Sequence, residues 1–191
     1  MENKEYETLI NKCQHYKLAL EDFKNYTKLV FEKNYKTEDK LSYFRKNKNT
    51  LPKEELFKLV KDITNEFWYE ANELTKHNFV LKEDGYIYFN VNNKGRVTEV
   101  TENEYDDLVN KNYHYSLSLE GCEDYINFIF KKVSKTLEKL ECLKNSEEEN
   151  KLNLVKEIIS EFEFEIKNLN KVDFDVEDIG YVEFLSNYEK E

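Results

Sequence analysis

The feature that most limits what this chain can fold into is a series of apolar stripes that step by three and four residues. Tyr6, Leu9, Cys13, Tyr16, Leu20, Phe23, Thr27 and Val30 form the first. This spacing puts them on one face of a helix, expected over 3–33, and such a face needs a partner to cover it. Leu56, Val60, Ile63, Phe67, Ala71 and Leu74 mark a second helix, which runs to about Lys76. Pro52 opens it, because a missing N–H costs nothing in a first helical turn. Ile126, Ile129, Val133, Leu137 and Leu140 mark a third over 122–144. Leu152, Val155, Ile159, Phe162, Ile166 and Leu169 mark a fourth over 147–170.

Between the second and third stripes the period changes to two. FVLKEDGYIYFNVNNKGRVTEV carries Asp84-Gly85 and Asn93-Lys94-Gly95, both hairpin-turn signals. It predicts a three-stranded meander at 79–83, 86–92 and 96–101. Thr101 and Glu104 have capping-box spacing and predict a short helix through Tyr105, Leu108 and Val109. YHYSLSL, 113–119, alternates again and is a candidate fourth strand. KVDFDVED reads as a further strand, with Val172, Phe174 and Val176 facing in and Asp173, Asp175 and Glu177 facing out. KNYKTEDKLSYFRKNKNT lacks a clear period and reads as a long loop with room for a short helix at Leu41, Tyr43 and Phe44. The expected fold class is therefore α+β. It is a single domain spanning 1–191, with long amphipathic helices packed on a small antiparallel β-meander.

Charge narrows the function. The chain carries a net −11, which argues against direct nucleic-acid binding, because phosphate contact needs a basic footprint. Residues 147–191 hold 14 acids against 5 bases, whereas 24–61 hold 11 bases against 5 acids. Three cysteines with no CxxC, no apolar leader and no run of ~20 apolar residues point to a cytoplasmic protein with no membrane span.

Catalytic motifs are missing. There is no phosphate-cradling glycine loop, no HExxH and no GxSxG. Cys13 and His15 lie two apart on one helix and face different ways. His77 suits a helix C-terminus, and His114 is a candidate base only in a carboxylate-dependent hydrolase. No metal or cofactor is expected. The candidate contact surface is acidic and aromatic: Glu161, Glu163, Phe164, Glu165, Asp173, Asp175 and Glu177. A secondary basic contact is Tyr43, Phe44, Arg45, Lys46 and Lys48, cations interleaved with aromatics. Phe164 falls almost opposite the apolar stripe of its helix.

The expected function is a non-catalytic inhibitor that occludes a basic partner, such as a nucleic-acid-binding or nucleic-acid-guided nuclease. It would act as a nucleic-acid mimic and be a monomer or homodimer. In composition alone, without a shared motif, the chain resembles small acidic inhibitors that phages direct against host defence nucleases. It is similar in the same limited sense to acidic immunity proteins that neutralise basic toxins. The alternatives are that immunity role and the hydrolase.

Overall fold

The structure is a computed structural model and describes residues 2–75, 79–81, 87–89, 97, 99–143, 148–177 and 181–185. The elements run α1 (Glu2–Asn47), α2 (Lys53–Thr75), β1 (Phe79–Leu81), β2 (Ile87–Phe89), α3 (Glu102–Cys142), α4 (Glu148–Leu169), β3 (Asp173–Glu177) and β4 (Tyr181–Leu185). Four helices supply almost all of one continuous apolar core; among the described residues Leu143 and Val172 are its buried members outside them.

The α+β expectation is overturned. Helices pack on helices, and the strands form two separate antiparallel pairs, β1–β2 and β3–β4. Two-stranded pairs have too little surface to carry a core. Among the described residues no third strand follows β2, and Val97, Glu99 and Val100 are irregular. The two glycine turns lie outside the described residues. KVDFDVED is a strand as expected, but it joins β4 and no central sheet.

Two further corrections concern length. α1 does not end near residue 33. Its stripe continues through Thr27, Val30, Asn34, Thr37, Leu41 and Phe44, all buried. Asn34 and Thr37 are polar, so the stripe looked broken where it is not. The segment 113–119 is not a strand but part of α3. Leu108, Asn112, Tyr115, Leu119, Cys122 and Ile126 are buried at steps of four and three, which turns Leu117 outward. The short helix expected after Thr101 and the long one expected over 122–144 are one helix, opened where the Thr101 N–H donates to Glu104 Oε2 at 3.1 Å and closes the capping box. α2 starts directly after Pro52, whose carbonyl accepts the Leu56 N–H at 3.0 Å.

The order αα-ββ-αα-ββ is an internal duplication. Residue n of α1 matches residue n + 99 of α3: NKCQHYKLALE (11–21) stands against NKNYHYSLSLE (110–120), with seven of eleven positions identical. Residue n of α2 matches n + 95 of α4: LVKDITNEFWYE (59–70) stands against LVKEIISEFEFE (154–165), with seven of twelve identical. The hairpins follow the same offset. Phe79 pairs with Phe89 and Leu81 with Ile87, and in the second half Phe174 pairs with Phe184 and Val176 with Val182.

The halves are also interlocked. α1 packs on α2 within its own half and on α4 of the other, and α3 packs on α4 and on α2 in the same way. The Tyr16 ring lies 6.1 Å from Phe162, and its counterpart Tyr115 lies 6.0 Å from Phe67. Each half gives the other what it receives, which is the reciprocity of an isologous two-fold interface written into one chain.

Candidate functional site

Within each half, one threonine and two glutamates join the paired helices. Thr37 on α1 donates its hydroxyl to Glu70 Oε1 at 2.7 Å, and Glu66 Oε2 lies 3.3 Å away. Thr136 on α3 repeats both distances to Glu165 Oε1 and Glu161 Oε2. Lys40 pairs with Glu66 as Lys139 pairs with Glu161. Glu70 and Glu165 are 2% and 3% exposed, and burial pushes both carboxyls up to about 7.

The two clamps differ at one donor. Asn34 Nδ2 reaches Glu70 Oε2 at 2.9 Å. The residue matching Asn34 is Val133, and Glu165 Oε2 is buried with no hydrogen-bond partner among the described residues. A carboxyl titrating near neutrality can exchange a proton at physiological pH. These two are enclosed, though, and their bonds run between helices, so they act as polar clamps that fix helix register.

The first clamp forms the floor of a cleft of about 530 Å³ between α1 and α2. Lys33, Lys36 and Lys40 line one wall at steps of three and four along α1. Asn65, Trp68 and Tyr69 contribute from α2. The Lys33 ammonium lies 5.3 Å from the centre of the Tyr69 ring. Asn65 holds the chain after β2 by two bonds, Nδ2 to the Val97 carbonyl (2.9 Å) and Oδ1 from the Val97 N–H (2.7 Å).

The lysine triad recurs in the second half as Lys132, Lys135 and Lys139, and Tyr69 as Phe164. Trp68 does not recur. Its counterpart Glu163 accepts hydrogen bonds from Lys12 Nζ (2.7 Å) and the Tyr16 hydroxyl (3.0 Å).

Of the eight exposed large apolar side chains among the described residues, six come in matched pairs, and Tyr35 and Tyr43 do not, since Ser134 and Cys142 stand at their counterparts. Leu18 and Leu117 are 57% and 66% exposed, and Leu29 with Phe128 and Tyr69 with Phe164 are exposed together as well. Leu18 and Leu29 share one face of α1 three turns apart, about 16 Å, as Leu117 and Phe128 do on α3. One acid is placed alike in both halves, Glu21 three positions after Leu18 and Glu120 three positions after Leu117, while the Lys132 ammonium lies 5.1 Å from the centre of the Phe128 ring. Each half therefore presents a matching ridge of two exposed apolar side chains with one matching acid, Glu21 or Glu120.

The residues expected to form a contact surface scatter. Glu161 pairs with Lys139, Glu163 with Lys12, and Glu165 is buried, so these three form no open row of carboxylates. Phe164 is 40% exposed with the Lys132 ammonium 5.4 Å from its ring centre. Asp173, Asp175 and Glu177 alternate along β3, with Asp175 opposite Glu183; the side chains of all four lie outside the described residues.

In the basic segment Phe44 is buried, Arg45 stacks on Tyr113 with its guanidinium 4.6 Å from the ring centre, and Tyr43, Lys46 and Lys48 are exposed. His15 and His114 occupy matching positions in α1 and α3, and His77 lies outside the described residues. Burial pushes the Cys13 thiol up to about 11 and the Cys122 thiol higher still, which keeps both in the unreactive thiol form.

Among the described residues no His, Cys, Asp and Glu side chains gather as a set that could hold a metal ion, and no helix is long and apolar enough to cross a membrane. What sequence reading missed here is the duplication, and comparing the chain with itself is the signal that would have found it. Compared with protein-family models, with curated proteins and with solved structures, the chain matches none.

Proposed function

We propose that this is a non-catalytic interaction protein that docks on a basic partner through two equivalent ridges. Leu18 and Leu29 anchor one, and Leu117 and Phe128 the other. The observation that carries the reading is the pairing of exposed apolar residues between the halves. An exposed leucine adds little to folding, so two diverged copies have no packing reason to keep it at the same place. A surface that binds gives such a reason, because apolar anchors inside a charged rim are what a recognition patch offers.

The net charge of −11, with Glu21 and Glu120 beside the leucines, favours a cationic partner and steers its approach. A protein that handles nucleic acid is cationic for its own reasons. Occlusion of such a surface is the proposed mechanism. The two-fold relation of the halves suits a partner that presents the same site twice.

The test is affinity capture from lysate of the source cells at low and high salt. Wild type is compared with Leu18→Ser, Leu117→Ser and the double variant. A stoichiometric basic protein should be captured by wild type, weakened in either single variant and lost in the double. Identical capture by all four proteins would rule out the ridges as the contact.

A further inference from the structure

We propose that the α1/α2 cleft is a binding site for an aromatic anion of the mononucleotide class. The site is distinct from the outward ridges and stands whether or not they bind a partner. The chain as a whole repels anions, yet three lysines converge on this cleft, facing Glu66 and the buried Glu70 as its lining acids. Lys40 is paired with Glu66 and Lys33 lies over Tyr69, while Lys36 is exposed and has no ion pair among the described residues. Its charge is available to a phosphate.

On the α2 wall Trp68 supplies flat apolar surface on which any base can stack, beside Tyr69 with the Lys33 ammonium over its ring. The volume of about 530 Å³ is that of a small-molecule cleft and not of a packing defect. The walls are held in place before a ligand arrives. The Thr37–Glu70–Asn34 clamp sets the distance between the helices, and Asn65 pins the chain at Val97. Preorganised walls reduce the ordering cost of binding.

The second half supplies an internal control. It keeps the lysine triad and the clamp threonine and glutamates. It has lost the tryptophan: Glu163 stands there, its carboxylate turned to Lys12 and Tyr16. A carboxylate in place of an indole removes the stacking wall and adds a charge that repels phosphate. The ligand is therefore expected on the first half only.

Trp68 is the only tryptophan in the chain, so its fluorescence reports on this wall directly. The full-length protein is titrated with ATP, AMP, adenosine and inorganic phosphate, with excitation at the red edge of the tryptophan band and calorimetry in parallel. ATP and AMP should give a saturable change, with adenosine and phosphate each roughly tenfold or more weaker. Lys36→Glu should weaken AMP binding by roughly tenfold or more, and Lys135→Glu, its counterpart, should leave it unchanged. Both positions are exposed, so neither variant should affect folding. The proposal fails if AMP gives no saturable signal up to about 5 mM. It fails if phosphate alone binds as well as AMP, because the aromatic wall then contributes nothing. Equal loss in Lys36→Glu and Lys135→Glu would also overturn it.

Discussion

Replacing Glu70 and Glu165 together by glutamine should flatten the pH dependence of stability between pH 5 and pH 8. Glu70 is held up to about 7 first by burial and then by the carboxylates of Glu66 and Glu38, against the bonds from Asn34 and Thr37. Glu165 is held up to about 7 by burial and by Glu161, against the Thr136 bond and the charges of Lys132 and Lys139. In the unfolded chain each group releases its proton near the ordinary 4.5, while the folded protein keeps it until about 7. The stabilisation is complete below pH 4.5 and is lost as pH rises through 7. For one carboxyl the loss is on the order of 3 kcal/mol, an upper figure because a partly opened site would admit water. Two such losses are a large share of a typical folding stability of about 5–15 kcal/mol.

The assay is urea unfolding at pH 5, 6, 7 and 8, followed by Trp68 fluorescence, for wild type and for the Glu70→Gln/Glu165→Gln protein. Wild type should lose several kcal/mol across this range relative to the double variant. The comparison cancels every other titrating group, including the self-repulsion of a chain at −11. Parallel pH profiles for the two proteins would refute the reasoning, since they would mean that both carboxyls ionise like exposed ones.

The duplication makes the remaining predictions exchanges of one half's residue for the other's. Asn34→Val should leave Glu70 Oε2 without its donor, as Glu165 Oε2 is now, and destabilise by about 1–3 kcal/mol in urea unfolding at pH 7. Asn112 donates to the Val60 carbonyl at a long 3.3 Å while its Oδ1 is buried without a partner, and its counterpart is Cys13. Asn112→Cys should therefore raise stability by about 1 kcal/mol, read as a higher urea midpoint. Phe67→Ala and Phe162→Ala empty matching positions that are fully buried, so each should cost about 3–5 kcal/mol and the two should agree closely. A large difference between them would show that the halves do not share the core equally.

Much of the helical structure was legible as local period. The stripes of α2 and α4 were read to within a residue or two, because each keeps an unbroken run of apolar residues at steps of three and four, even though Thr64, Glu70, Glu73, Glu165 and Asn168 are buried beside it. α1 was cut short because its buried stripe contains Asn34 and Thr37. α3 was divided because Tyr113, Tyr115, Leu117 and Leu119 alternate by chance along a helix that buries only Tyr115 and Leu119. The candidate acidic surface failed for a related reason. Glu161, Glu163 and Glu165 look alike in sequence, yet one pairs with α3, one reaches α1 and one is buried beneath Thr136. The cleft had no motif of its own, since its lysines and aromatics lie on different helices and are ordinary within each.

The sequence by itself determined where most of the helices lie and turn an apolar face, and it carries, when set against itself, two copies of one αα-ββ unit. Those properties depend on neighbours three, four or two residues away, or on comparison of the chain with itself. Only the tertiary structure decided which polar side chains are buried, which carboxylates are spent on internal partners and where a cleft opens. The partner of Thr37 is 33 residues distant and that of Lys12 is 151 residues distant. No local pattern records such a pairing, because the free energy of burying a polar group depends on the donor that faces it across the interface.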